Sequence, residues 1–253
     1  MDLDGRTILV TGASKGIGAA SVRALGDAGA SVVAHYGSDE AGALDASAAI
    51  PEERKLLVRA DFEDRGAPKR LWADALAWRG RVDVLVLNAA LMLEAPLDAD
   101  DEDWNGAWER TLRVNVLAAA SLLRDAVRHF GERGGGIAIT LSSWAAQRGA
   151  ANSNLVAYAA SKAALKAMAQ TIARNHAAEG VLSYVVAPGV VRTRMSEVAA
   201  ASRGGEEVVT ATLAMGEWVP PEEVADVVAY LASGRVRHLT GATIDINGAS
   251  YIR

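Results

Sequence analysis

Short runs of β-branched and aliphatic residues alternate with longer alanine-rich amphipathic stretches along the whole chain. The apolar runs predict strands at Thr7–Thr11, Ser31–His35, Lys55–Ala60, Val82–Leu87, Gly136–Ser142, Leu182–Ala187 and Thr243–Asn247. Apolar positions at helical spacing predict helices near Gly16–Ala28, Glu40–Ala48, Ala67–Ala77, Asp103–Gly131, Val156–Glu179 and Pro221–Ala232. Nearly continuous apolar strands separated by helices point to an α/β protein, with a parallel sheet covered by helices. No Pro/Gly/Ser linker or shift in composition interrupts the alternation, so residues 1–253 are expected to form one domain. The longest stretch without a clear period, 192–219, comes after a predicted strand end, where open α/β sheets bind ligands. It is either a segment that covers a substrate or a variable surface loop.

Composition narrows the function classes. Of the 253 residues, 51% are hydrophobic and 23% charged, enough for a sizeable core. A net charge of −5 argues against a nucleic-acid partner, because phosphate binding needs a basic surface. With no cysteine there are no disulfides or thiolate ligands, and the four histidines are scattered, so no metal site is expected. No apolar run reaches the roughly 20 residues that span a bilayer, and Met1–Gly5 lacks the features of a signal peptide. The expectation is a cytoplasmic protein with no membrane partner.

Tyr158 and Lys162 stand four residues apart on a predicted helix, so their side chains share one face. A free phenol titrates near 10, and an adjacent ammonium favours its ionised form, which suits the pair to proton transfer. Between the first strand and the first helix lies Thr11-Gly12-Ala13-Ser14-Lys15-Gly16-Ile17-Gly18. Glycines there permit a tight turn and let a pyrophosphate approach the backbone, while the helix N-terminus offers N–H groups.

These motifs recur in a fixed order: the glycine-rich turn, Asn88-Ala89 after the fourth strand, Asn115 in a helix, Ser143 at the fifth strand end, Tyr158-x-x-x-Lys162 and Pro188-Gly189. In this the chain resembles the short-chain dehydrogenases/reductases over nearly its whole length, in their compact branch, with similarity to 3-oxoacyl-thioester reductases. The resemblance implies a Rossmann-type doubly wound parallel sheet of about seven strands with helices on both faces. It also implies hydride transfer between a nicotinamide cofactor and a carbonyl or secondary alcohol.

By that resemblance Tyr158 is the general acid/base, Lys162 lowers its pKa and binds the nicotinamide ribose, and Ser143 donates to the substrate oxygen. Asn115 would hold a water that links Lys162 to solvent; a buried amide bonded to backbone is the alternative. The segment 144–157 is about two residues longer than is usual in the family, which makes Ser142 a rival to Ser143. Ala90 replaces a customary glycine, a change that backbone with negative φ tolerates.

The expected cofactor contacts are Gly12, Ser14, Lys15, Gly16, Ile17, Gly18, Tyr36, Ser38, Asp61, Phe62, Asn88, Ala89, Ala90, Tyr158, Lys162, Pro188, Gly189, Val191 and Thr193. Tyr36 occupies the position where an acid usually binds the adenine ribose, and Lys15 offers charge toward a 2′-phosphate, with Ser38 and His35 as donors. That set favours NADP(H). Asp39 and Glu40 lie close behind and keep NAD(H) possible.

For the substrate pocket the candidates are Ser143, Trp144, Gln147, Met195, Met215 and Trp218, although the tryptophans would equally serve a core or a subunit contact. The family expectation is a homotetramer or homodimer paired through the helices near 103–131 and 156–179. Trp104, Trp108 and the small residues Ala118, Ala119, Ala120, Ala163, Ala164 and Ala167 would permit close packing there. A cofactor-binding scaffold without turnover is the rival from another class, and the complete Tyr158, Lys162, Ser143 and Asn115 set speaks against it. An epimerase or dehydratase is disfavoured, since such relatives carry a longer substrate region.

Overall fold

The computed structural model describes every residue from Met1 to Arg253. Seven parallel strands form one sheet: β1 (Thr7–Val10), β2 (Ser31–Tyr36), β3 (Lys55–Arg59), β4 (Val84–Leu87), β5 (Gly136–Leu141), β6 (Val181–Pro188) and β7 (Thr243–Ile246). Their spatial order is β3-β2-β1-β4-β5-β6-β7. In the registers that set the centre of the sheet, Ile8 is opposite Val32 on one side and Val84 on the other. All expected strands are present, with ends displaced by one or two residues.

Side-chain alternation along the strands builds two core layers. Ile8, Val10, Val32, Ala34, Val84 and Val86 enter one layer, while Leu9, Val33, Leu85 and Leu87 enter the other. Burying each such aliphatic side chain contributes about 1.5–3 kcal/mol. Helices α1 (Gly16–Asp27), α2 (Glu40–Ala46) and α10 (Pro221–Ala232) cover the first layer through residues such as Val22, Leu25, Ala46 and Val228. The second is covered by α3 (Ala67–Arg79), α5 (Ala118–Glu132) and α7 (Val156–His176), through Leu71, Leu122, Phe130 and Leu165.

The expected long helix at Asp103–Gly131 is three pieces. It starts earlier, as α4 (Asp101–Leu112), because the Asp100 carboxylate accepts from the Asp103 N–H at 2.9 Å and three acids occupy the first turn. A π-helical turn, Arg113–Leu117, then inserts before α5. Such a turn shifts the hydrogen-bond ladder by one residue and rotates the helix beyond it. Asn115 sits inside it.

Over 192–219, where the sequence shows no clear period, the chain forms α8 (Arg194–Ala201) and α9 (Glu206–Thr210). Thr193 caps α8, and a parallel bridge between Val191 and Val219 closes the base of the excursion. Beneath it Ala200, Val209, Leu213 and Trp218 pack into a small core of their own. A short helix α6 (Ala145–Arg148) comes after β5 and faces α7.

Candidate active site

The order of the sheet reverses at β1, whose neighbours β2 and β4 lead the chain in opposite directions, and the crevice lies at the carboxyl ends of these strands. Thr11 and Asn88 lock the crevice floor. The Thr11 hydroxyl donates to the Val86 carbonyl at 3.2 Å and accepts from the Asn88 and Ala89 N–H groups at 2.9 and 3.0 Å. The Asn88 amide returns two bonds, to the Thr11 and Gly12 carbonyls at 2.9 and 3.0 Å. Thr11 was not among the expected contacts, because its hydroxyl shapes the turn rather than faces the cavity.

Three adjoining cavities line the sheet edge. One of about 430 Å³ lies over β2 and β3 and is bounded by Ser14, Ser38, Asp39, Arg59, Asp61 and Phe62. The next, about 360 Å³, is walled by Gly16, Ile17, Asn88, Lys162, Pro188, Gly189, Val191 and Thr193. Gly12, Lys15, Ala89 and Ala90 belong to both. The third, about 280 Å³, lies under α6, α8 and α9, and Ser143 and Tyr158 stand in the wall it shares with the second.

The donor set of the first two cavities fits a dinucleotide. Helix α1 opens with no side-chain cap, so the N–H groups of its first turn remain for an anion. At Gly18 a Cβ would lie 2.0 Å from the Gly12 carbonyl oxygen, so that glycine serves turn packing rather than the cavity wall, contrary to expectation. Ala90 keeps negative φ, and its methyl group is compatible with the backbone there.

Several expected contacts face elsewhere. Tyr36 is buried and lines neither cavity. His35 cannot donate to a phosphate: the Gly12 N–H donates to its Nδ1 at 3.0 Å, and its Nε2–H donates to the Ala60 carbonyl at 2.8 Å. Burial pushes this imidazole down to about 4, so it is neutral, and its ring stacks on Phe62 at 4.3 Å. Lys15 Nζ lies 3.0 Å from the Asp39 carboxylate, which also accepts from the Gly42 N–H. Arg59, whose Nε donates to the Gly37 carbonyl at 3.3 Å, is a second cation in the same cavity that the sequence pattern did not single out.

At the junction of cavities two and three, the Ser143 hydroxyl shares the cavity wall with Tyr158 and accepts from the Ala145 N–H at 3.1 Å. Its rival Ser142 donates instead to the Lys162 carbonyl at 2.8 Å, a bond that ties β5 to α7. Lys162 is buried, its Nζ donating to the Leu141 carbonyl at 2.8 Å and lying 5.7 Å from the centre of the Tyr158 ring. Burial pushes Tyr158 up to about 12, against the Ser143 hydroxyl, and pushes Lys162 down to about 8. The phenol therefore stands above its ordinary value rather than below it, because desolvation outweighs the effect of the Ser143 hydroxyl.

Asn115 does not reach either cavity. Its Oδ1 accepts from the Leu91 N–H at 2.7 Å, and its Nδ2 donates to the Leu91 carbonyl and to the Ser161 hydroxyl, both at 2.9 Å. Of the expected substrate residues, Trp144 and Met195 line the third cavity. Trp218 does not. It is buried behind α9, with its Nε1 donating to Thr210 at 2.8 Å. Gln147 is bonded to Asp245 at 3.0 Å, and the exposed Met215 lies against Gly248.

A parallel sheet with an anion-suited turn at its switch point, and beyond it a buried lysine and serine beside a half-buried tyrosine, belongs to the dinucleotide-dependent oxidoreductases. A family model described as Enoyl-(Acyl carrier protein) reductase matches residues 12–249. The chain is 34% identical over 256 residues to 3beta-hydroxysteroid dehydrogenase 1 of Eggerthella lenta, covering 98% of this chain and 94% of that protein. It is 35% identical over 246 residues to cis-4-hydroxycyclohexanecarboxylate dehydrogenase of Sinomonas cyclohexanicum, covering 96% and 95%. The crystal structure of 3-ketoacyl-(acyl-carrier-protein) reductase from Brucella melitensis complexed with NADH superposes with a TM-score of 0.86 at 25% identity, covering 99% of this chain and 100% of that one. The chain belongs to the short-chain dehydrogenase/reductase family.

Proposed function

We propose that the protein transfers a hydride between NADP(H) and a carbonyl or secondary alcohol, with Tyr158 as general acid/base. The observation that carries this is the position of Ser143 and Tyr158 in the one wall common to the dinucleotide cavity and the third cavity. When bound, a nicotinamide cofactor supplies or accepts the hydride. In reduction the Tyr158 hydroxyl gives its proton to the substrate oxygen, while Ser143 donates to that oxygen as charge develops on it. The Lys162 ammonium, mostly charged at neutral pH, offsets the negative charge left on Tyr158. Oxidation runs the same proton in reverse. Two relatives named for alcohol oxidation on rings support the secondary-alcohol reading.

NADP(H) is favoured because Tyr36 places no carboxylate at the β2 end, and Lys15 and Arg59 are cations of the adenosine cavity. NAD(H) is the second reading, favoured by Asp39 beside Lys15. Pairing of subunits would use α4, α5 and α7, where Leu117 is exposed on the π turn. Ala118 and Ala119 are taken up by the core of their own chain, so the contact would fall on Ala120, Ala163, Ala164 and the two tryptophans. Parallel calorimetric titrations with NADPH and NADH test the cofactor, and light scattering tests the assembly. Binding of neither nucleotide would sink the oxidoreductase reading, and turnover that survives Tyr158→Phe would remove the phenol from its role.

A further inference from the structure

The third cavity has a charge pattern that the reaction at Tyr158 does not require. Among its 20 lining residues the charged ones are Arg148 and Arg203, and no carboxylate is present. Neither guanidinium is in an ion pair, whereas Arg192 and Arg194, at the start of the same excursion, pair with Glu206 and Glu197 at 2.8 and 3.4 Å. Arg148 is exposed at the end of α6, beside two aromatic rings. Its Cζ lies 5.0 Å from the Trp144 ring centre and 5.9 Å from that of Tyr251, and its Nη1 reaches the Ser250 carbonyl at 3.4 Å. Arg203, just past α8, is half-buried and lines the same cavity. The rest of the lining is mainly apolar, with Met92, Leu155 and Val209.

We propose that the substrate is a carbonyl or alcohol compound with an apolar body and a carboxylate, bound by Arg148 and Arg203 while its oxygen lies at Ser143 and Tyr158. The proposal rests on the hydride-transfer reading and names the substrate class. Two unpaired guanidinium groups on one cavity match a planar carboxylate through charge-assisted, bidentate bonds. The Trp144 and Tyr251 rings, 5.0 and 5.9 Å from the Arg148 Cζ, favour the guanidinium beside the cavity, which lessens the rotamer entropy lost when an anion binds. The apolar lining suits a hydrocarbon spacer and disfavours a strongly hydrated polyol.

The test is a panel of oxo-carboxylates, with the ketone and the carboxylate two to six carbons apart, each beside its own methyl ester. Turnover is read by NADPH and NADH absorbance, and binding of the acids by calorimetry with NADP+ present. For the best acid, kcat/KM is expected to exceed that of its ester by about tenfold or more, carried mainly by KM. Arg148→Gln and Arg203→Gln should each lower that acid-to-ester ratio about five- to tenfold, and Arg→Lys at either position should restore part of it. An ester used as well as its acid, or a ratio unmoved by both glutamine variants, would overturn the proposal and leave hydride transfer standing. Saturable binding of the acid that is lost in the double variant, without turnover of any compound, would instead reject hydride transfer and keep the anion site. Neither binding nor turnover would overturn both.

Discussion

The Gly12 N–H donates to Nδ1 of His35 across 3.0 Å, so an imidazole on β2 pins the glycine-rich turn to the sheet. The bond requires a neutral ring with its proton on Nε2, which the Ala60 carbonyl accepts. Folding therefore lowers the pKa of His35 from 6.5 to about 4. A base depressed in this way destabilises the fold as pH falls: below 6.5 the unfolded chain takes up a proton that the folded chain refuses. At about 1.4 kcal/mol per unit, the loss between pH 6.5 and about 4 amounts to roughly 3 kcal/mol, and it levels off below that window. Urea denaturation across this range should show the slope, and His35→Gln should reduce it, the remainder belonging to carboxylates that the fold also holds low, such as Asp39 and Asp64. A slope unchanged in that variant would assign the acid sensitivity to other groups.

The Tyr158–Lys162 pair predicts the pH–rate profile. With the phenol pushed up to about 12 and the ammonium down to about 8, reduction near neutrality starts from a protonated acid beside a charged lysine. The kcat for reduction is expected to be level on the acid side of 8 and to decline as pH rises through about 8, where Lys162 loses its charge. Tyr158→Phe should lower kcat by about 10²–10⁴-fold while dinucleotide binding persists. If the decline near 8 remained in the residual activity of Lys162→Met, it would belong to another group.

Asn115 clasps both backbone polar groups of Leu91 and the Ser161 hydroxyl from the π turn. Its side chain is fully buried. Replacing it with alanine removes three hydrogen bonds and leaves buried partners unsatisfied, so Asn115→Ala should destabilise the fold by about 2–4 kcal/mol. Thermal unfolding measures this. A variant that keeps its melting temperature but loses turnover would place Asn115 in the chemistry instead.

The sheet was legible because buried parallel strands carry nearly continuous apolar runs, and β4, Val84–Leu87, is buried at every position. The glycine-rich turn was legible because its position between β1 and α1 is itself part of the signal. The π turn was not: one extra residue in a long amphipathic stretch leaves the apolar pattern almost intact. The side-chain directions of Tyr36 and Trp218 were hidden for a similar reason, since an aromatic residue beside a predicted cavity satisfies core and site equally well. Arg59, Arg148 and Arg203 carry no motif. They converge on cavities only through the pairing of β2 with β3 and the folding of the excursion over α6.

Lys15 and Asp39 contact each other at 3.0 Å in the cavity over β2 and β3, and under the proposed cofactor reading this pair is the first place to test the choice between nucleotides. Asp39 is held below the usual carboxylate range, first by the Gly42 N–H and then by Lys15, so it is ionised at neutral pH. Ionised, it offsets part of the Lys15 charge on which the NADP(H) reading relies and opposes a 2′-phosphate, leaving Arg59 as the uncompensated cation. Asp39→Asn removes the charge but retains a good cap for α2, because asparagine also accepts from the Gly42 N–H. The NADPH-to-NADH affinity ratio should therefore rise in Asp39→Asn, by about tenfold, and fall in Lys15→Ala. Parallel titrations of the three proteins give the ratio directly. If it were the same in all of them, Arg59 would be the remaining cation in that cavity to examine, by Arg59→Ala, as the group that reads the phosphate.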